Sequence, residues 1–328
     1  MIDSFYVYRS FSTDPFENLA REQVLLEQGP PCGVILYLWQ NEKTVVIGRN
    51  QNAFKECRVS LLKEEGGRLA RRLSGGGAVF HDTGNLNFTF LLPQADFNVK
   101  RQMDVICRAC RSFGINAEIS GRNDLEVNGQ KFSGSAFYKN GGRAYHHGTL
   151  LLNADTDLMG RYLNPSAAKL KAKGVESVRA RVVNLCTIAP SLTRDDLCRA
   201  LIRAAENVYG FPAMQLLFNP ETENETRRLT AHYASDNWRF GSNTPATFCC
   251  EERFNWGTIS LELQVDRGVI SHAAVFTDAM DWTLSATLQT ALEGRKFLFA
   301  DIQKGLELAP LEQAVRNDLF QLFAKQEM

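Results

Sequence analysis

The chain has 328 residues, 44% of them hydrophobic, and its 37 Lys plus Arg are balanced by 37 Asp plus Glu. That length gives one large or two ordinary domains with ample apolar core, and the charge balance speaks against general nucleic-acid or membrane binding, so any electrostatic function must be local. No window reaches the roughly 18 to 20 apolar residues of a spanning helix, and Met1-Ile2-Asp3-Ser4-Phe5 lacks a leader pattern, which predicts a cytoplasmic chain.

Asp14-Pro15-Phe16-Glu17 supplies an N-cap, a proline at the first helical position and an acidic N3, and Gly29 ends the helix so begun. Gly33 to Trp39 and Thr44 to Gly48 are β-rich and read as a hairpin across Gln40-Asn41-Glu42-Lys43. A short helix over 59–65 stops at Gly66-Gly67, and Arg68 to Arg72 then leads into Ser74-Gly75-Gly76-Gly77. Three glycines remove every Cβ from a turn, so a ligand can lie against backbone N–H groups. Ala78-Val79-Phe80 resumes an extended pattern, making this strand–loop–strand. Leu86, Phe88 and Phe90 alternate with Asn87 and Thr89, the period-2 sign of a half-buried strand whose polar face could line a pocket.

A helix over 99–113 closes at Gly114. Asn128-Gly129 is a strong two-residue hairpin signal, placing Lys131 at the start of a strand, Lys131 to Ala136, that pairs with Tyr145 to Leu152. Residues 155–163 and 193–208 read as helices, the second opened by Thr193 with Asp196 at N3. Between them, positions 169–181 carry five positive charges and one negative. The weak pattern from 218 to 245 reads as irregular. Ile259, Leu261, Leu263 and Val265 then alternate, Asp266-Arg267-Gly268 turns the chain, and 269–276 returns, followed by helices near 283–293, 298–306 and 310–325. The boundaries predicted are a large domain over 1–243, a linker over 244–250 and a small α+β domain over 251–328.

Eight scattered cysteines read as reduced thiols. Cys107 and Cys110 form a C-x-x-C inside a helical pattern without the second Cys/His pair that zinc needs. There is no Walker A motif, and the glycine triplet lacks dinucleotide spacing. Arg72, the backbone donors of Gly77 to Phe80 and a neighbouring lysine such as Lys131 could together hold an α-phosphate and neutralise charge growing in its displacement. Adjacent strand residues face opposite sides, so His146 and His147 cannot join His81 on one ion. Asp124 could help hold a nucleotide-borne Mg²⁺. Ser74 and Ser133 lie in small-residue turns without a nucleophile-elbow pattern.

Arg71-Arg72-x-Ser-Gly-Gly-Gly-Ala-Val-Phe-His-Asp with Gly84-Asn85, Ser120-Gly121-Arg122-Asn123-Asp124, Lys131-Phe-Ser-Gly-Ser-Ala, His146-His147-Gly148-Thr149-Leu150 and Lys173-Gly174-Val175-Glu176-Ser177-Val178-Arg179 together resemble the bacterial lipoate-protein ligase A family, in its long form with a C-terminal accessory domain. The resemblance implies an α+β catalytic core shared with biotin protein ligases, with mixed and antiparallel sheets flanked by helices. It implies two steps: lipoate plus ATP gives lipoyl-adenylate and pyrophosphate, then the lipoyl group passes to a lysine of a lipoyl domain.

Carried over by position, Arg72, Gly77, Ala78, Val79, Phe80 and Lys131 match the ATP-contacting segment. Lys131 touches both lipoate and phosphate, with Gly75, Gly76, His81 and Asn85 on the lipoate side and Lys173-Gly174 in a loop that closes over the adenylate. Implied partners are lipoyl domains of 2-oxo acid dehydrogenase complexes and the glycine cleavage H protein, met by a monomer. Three other readings share these motifs: an acyltransferase using a thioester, for which Cys186 is the candidate thiol; a transferase fed preformed lipoyl-adenylate; and a non-catalytic lipoate or biotin-like carrier.

Overall fold

The computed structural model describes residues 2–121, 123–164, 182–241 and 246–325. Its first strand, β1 (Ser4–Arg9), leads to helix α1 (Pro15–Gln28), which starts as its sequence dictates. The Asp14 carboxylate accepts the amides of Phe16 and Glu17, and Pro15 needs no N–H partner. Next come β2 (Gly33–Trp39) and β3 (Thr44–Ile47). These are not a hairpin: β2 belongs to the large sheet and β3 to a separate three-stranded one. Tertiary bonds capture the connection instead, Asn18 donating its side-chain amide to the Gln40 carbonyl (2.8 Å) and Glu42 N–H reaching the Thr13 carbonyl (3.1 Å). Both strands are buried throughout, so no polar face marks the sheet each joins.

After α2 (Ala53–Glu56) and α3 (Val59–Glu64), β4 (Arg68–Arg71) runs parallel to β3, and β5 (Val79–His81) returns antiparallel on its other side. The large sheet continues with β6 (Asn85–Pro93), α4 (Val99–Arg111), β7 (Glu118–Ser120), β8 (Asp124–Val127), β9 (Gln130–Asn140) and β10 (Arg143–Leu151). Asn128 and Gly129 take φ of +53° and +74° between β8 and β9, the turn their sequence predicts. Helices α5 (Thr156–Tyr162), α6 (Leu185–Ile188) and α7 (Arg194–Tyr209) precede β11 (Ala213–Gln215). The spatial order is β11-β1-β2-β6-β10-β9-β8-β7, with β1 parallel to both neighbours and the other pairs antiparallel. This is the α+β class expected.

Leu86, Phe88 and Phe90 pack with α4 and α7 on one face of the sheet. The opposite face is not solvated, which corrects the half-buried reading: Asn87 and Thr89 are 1% and 0% exposed. That side is covered by α1 together with α8 (Pro220–Ala234), which is followed by α9 (Asp236–Phe240). Two helices thus occupy the stretch read as irregular.

The C-terminal sheet, β12 (Phe248–Phe254), β13 (Gly257–Asp266) and β14 (Val269–Thr277), packs against α10 (Leu284–Leu292), α11 (Phe299–Leu308) and α12 (Gln313–Ala324). Ile259, Leu261, Leu263, Leu288 and Phe323 form its separate core. Strand β12 begins inside the stretch expected as linker. The end of β14 and the segment after it meet the large domain: Gly76 of the glycine loop donates its N–H to the Ala279 carbonyl (3.0 Å), and Thr277 donates its own to the carbonyl of Asn50 (2.8 Å).

Candidate active site

A cavity of about 290 Å³ lies between the large sheet, the β4-β3-β5 sheet and the C-terminal unit. Trp39 of β2, Asn87 of β6 and His147 of β10 wall one side, Val46 and Gly76 to Val79 the other, and Asp278 with Met280 close it from the C-terminal unit. Exposure falls from the Lys131 side chain, 38% open, to Trp39 and Asn87 at 3% and 1%. The lysine therefore stands at the mouth and the indole at the blind end.

Lys131 Nζ is 2.7 Å from the Asp124 carboxylate on the neighbouring strand. A Cβ at Gly134 would stand 2.9 Å from that ammonium, so the glycine leaves the lysine room to lie along the cavity wall. Asp124 is thus first an ion-pair partner for Lys131. Among the described residues no group of three His, Cys, Asp or Glu could hold a metal. Asp278 lines the cavity and Asp124 is paired with the lining residue Lys131, and so few carboxylates fit only a Mg²⁺ that arrives with its own phosphate oxygens.

The arginine pair is placed otherwise than expected. Arg72 lines the cavity, but its N–H groups are turned back on the loop: Nε donates to Ser74 Oγ (3.0 Å), Nη2 to the Gly75 and Gly77 carbonyls (2.7 and 2.8 Å) and Nη1 to the Val46 carbonyl (3.2 Å). Arg71 donates to the carbonyls of Gly48, Arg49, Gln51, Trp238 and Arg239. Burial pulls both guanidinium groups down to about 10, with Arg49 adding to the effect on Arg71. Two buried cations held by carbonyl dipoles shape the loop rather than present an open fork.

Gly75 does not line the cavity: a Cβ there would stand 2.4 Å from the Ala279 carbonyl oxygen. Gly76, at φ +88°, Gly77, Ala78 and Val79 do line it. Phe80 does not, because alternation turns its ring into the core under Tyr162, at 5.5 Å between centroids.

A polar chain is buried behind these walls. His147 Nε2 lies 2.7 Å from Ser74 Oγ and its Nδ1 2.9 Å from Glu22, which accepts from Thr89, which in turn accepts from the Trp39 indole (2.7 and 3.0 Å). Ser74–His147–Glu22 has the order of a hydrolytic triad. Ser74 is nonetheless fully buried and takes the Arg72 Nε–H, so the chain fixes the wall. His81 lines the cavity and is driven down to about 3 by burial, then by Arg72 and His147. Its Nδ1 accepts from the Asn41 amide (3.1 Å), leaving the proton on Nε2, which has no partner among the described residues. His146 points oppositely, against Phe88, and neither of its nitrogens has a hydrogen-bond partner among the described residues.

Asn85 stands one step behind the wall. It donates to Asn87 Oδ1 (2.9 Å), and Asn87 is the residue that lines the cavity. Cys186 lies outside it: its thiol donates to the Leu192 carbonyl (3.3 Å) and is pushed up by burial, the reverse of what a thioester nucleophile needs. Lys173 and Gly174 lie outside the described residues. Sequence reasoning missed Trp39 and His147 as wall residues and Glu22 behind them, whereas Asn87 lies on the polar strand face expected to line a pocket. Glu22 had a visible signal, a carboxylate between Leu19 and Leu26 on the apolar face of α1.

Residues 14–206 match the model of the lipoyl protein ligase A/B catalytic domain, and residues 244–323 that of the bacterial lipoate protein ligase C-terminus. The chain is 41% identical over 305 residues to a lipoate-protein ligase A of Psychrobacter cryohalolentis, covering 90% of each chain. Its fold superposes on P. falciparum LipL1 in complex with lipoate at a TM-score of 0.85, with 27% identity over 98% of this chain and 99% of that one. A bipartite lipoate protein ligase of Thermoplasma acidophilum, solved with its E2 lipoyl domain, shares the fold at a TM-score of 0.66, with 24% identity over 76% of this chain and 100% of that one. With both of its family models matched and this identity across nearly the whole length, the chain belongs to the lipoate-protein ligase A family.

Proposed function

We infer that the protein activates lipoate with ATP and transfers the lipoyl group to a lysine of a lipoyl domain. The observation that carries this reading is one cavity with a lysine at its mouth, a glycine loop on one wall and an indole at its closed end. The apolar wall from Val46, Val79 and Trp39 suits a dithiolane and its aliphatic chain, and leaves the carboxylate at the mouth beside Lys131.

There a carboxylate oxygen attacks the α-phosphorus of ATP, an O–P bond forms and pyrophosphate leaves. The Lys131 ammonium, bridging carboxylate and phosphate, neutralises the charge that gathers on the transferring group. In the second step the acceptor lysine's neutral amine attacks the acyl carbon, the C–O bond to phosphate breaks and AMP departs toward the same ammonium. The amides of Gly77 to Val79 form the nucleotide side, with Arg72 acting through the loop it braces. Asp124, beside Lys131, would help hold a Mg²⁺ carried by the nucleotide, which would supply further neutralisation of phosphate charge. His81 and the Asn85–Asn87 pair form the lipoate side.

Residues 1–243 form the catalytic domain, joined through 244–250 to an accessory domain over 251–328; the separate C-terminal core supports this division. The acceptors are lipoyl domains of 2-oxo acid dehydrogenase complexes and the glycine cleavage H protein, met by a monomer in the cytoplasm.

The test is lipoate-dependent exchange of pyrophosphate into ATP without acceptor protein. Exchange that needs lipoate and falls about 10²- to 10³-fold in Lys131→Ala is the expected result. Transfer from supplied lipoyl-adenylate without any exchange would show a transferase instead.

A further inference from the structure

One buried donor of a cavity-lining residue, the Nε2–H of His81, has no partner among the described residues. A buried donor is costly to leave unpaired, and folded proteins pair nearly all of them with protein, water or ligand. His81 is 3% exposed and sits at the blind end, its ring centre 6.1 Å from that of Trp39 and its Nδ1 3.5 Å from the Asn87 side-chain amide.

A relay of amides that starts on the main chain fixes where the ring carries its proton. The Ser12 and Gln40 carbonyls lie 3.0 and 2.8 Å from one end of the Asn18 side chain, which must therefore be its NH2 group. That group also donates to the Asn41 side-chain oxygen (3.0 Å), so Asn41 turns its own NH2 to His81 Nδ1 (3.1 Å). Asn87 accepts from Asn85 (2.9 Å) and turns its NH2 toward the same nitrogen. Nδ1 can only accept, and a neutral ring then carries its proton on Nε2. Burial, then Arg72 and His147, keeps the ring neutral by pulling it down to about 3. With Nδ1 committed to Asn41, what the ring has left to offer the cavity is a neutral donor, beside the apolar Leu19, Val46 and Trp39 that line it too.

Lipoate lying with its carboxylate at Lys131 brings its two ring sulfurs to this end. Sulfur is a weak acceptor, and octanoate, the same eight-carbon acid without sulfur, has none there. A saturated tail displaces water from the buried N–H and strands it, which a ring sulfur does not. We propose that His81 Nε2–H donates to a dithiolane sulfur and thereby sets a preference for lipoate over octanoate. The assignment rests on the lipoate-activating reading above and adds to it the atoms that tell the two acids apart.

The experiment measures lipoate and octanoate binding by calorimetry to the unaltered full chain, to His81→Asn and to His81→Gln, with melting temperatures and nitrogen-15 NMR of the histidine rings alongside. Asparagine keeps an acceptor for the Asn41 amide but does not reach the Nε2 position, whereas glutamine carries an amide to it. The unaltered enzyme binds lipoate more tightly than octanoate, and its NMR spectrum places the His81 proton on Nε2. His81→Asn narrows the lipoate-to-octanoate ratio about 5- to 10-fold, as expected for one hydrogen bond lost. His81→Gln keeps most of the ratio. An unchanged ratio in His81→Asn, with or without a lowered melting temperature, overturns the assignment and leaves the lipoate reading in place. Equal binding of the two acids by the unaltered enzyme, or a proton found on Nδ1, does the same without any variant. Binding of neither acid to the unaltered enzyme overturns the lipoate reading and this assignment with it.

Discussion

At the scale of single residues, the division of labour is between charges turned inward and charges turned outward. Arg72 makes five side-chain contacts that a lysine cannot copy, since an ammonium has three donors and no planar fork. Arg72→Lys leaves buried carbonyls unpaired and should cost about 2 kcal/mol, measured as a shift in the denaturant midpoint. Two buried histidines set a pH dependence. His81 and His146 are both held near 3, burial being the larger cause in each, against 6.5 in the unfolded chain. Between those values the unfolded state binds more protons, so stability rises with pH across the window and is lost as pH falls from about 6.5 toward 3, at up to ~1.4 kcal/mol per pH unit for each histidine. Thermal melts from pH 4 to 7 should show this slope, and His146→Phe, which removes one of the two groups away from the cavity, should flatten it.

At the scale of elements, helix α8 shows how a tertiary partner reveals what periodicity hides. Only Thr226, Leu229 and Tyr233 of this helix are buried, a stripe too narrow to stand out among polar neighbours. Its start was nonetheless written locally, Asn219 accepting the Thr222 amide (2.9 Å) and Pro220 sitting at the first position. Asn219→Ala should cost about 1 kcal/mol in thermal melting, and faster amide exchange across α8 and the facing side of α1 would tie that loss to the helix pair. The connection from β2 to β3 is the opposite case. A turn-like sequence between two β-rich runs is normally a hairpin, yet Asn18 and Thr13 draw the chain out of the sheet, and no local residue announces that.

At the scale of the whole molecule, the C-terminal unit both completes the cavity and loads the glycine loop. The Ala279 and Met280 carbonyls approach Gly75 so closely that a Cβ would stand 2.4 and 2.8 Å from them, both main-chain atoms that cannot swing away. Gly75→Ala should therefore loosen this contact at a cost of about 1 to 3 kcal/mol. Faster hydrogen exchange over residues 277–282, with the core around Ile259 and Leu263 still protected, is the expected signature. Unchanged exchange there would mean that the two units do not share this contact in solution.

The sequence by itself determined the parts that rest on local chemistry. The caps of α1 and α7, the Asn128-Gly129 turn, the alternation of β13 and β14, and the glycine loop with Lys131 all follow from nearest-neighbour sterics and hydrogen bonding, which a linear string records. Tertiary structure alone decided which side of each element meets the cavity. It put Asn87 rather than Asn85 on the wall, turned Phe80 away, spent the arginine pair on carbonyls and brought Asp278 and Met280 to the site from more than a hundred residues beyond Lys131. Those outcomes depend on long-range strand order, such as β1 lying between β2 and β11, and on the burial that makes an unpaired donor or acceptor costly. Neither is set by any short stretch of chain.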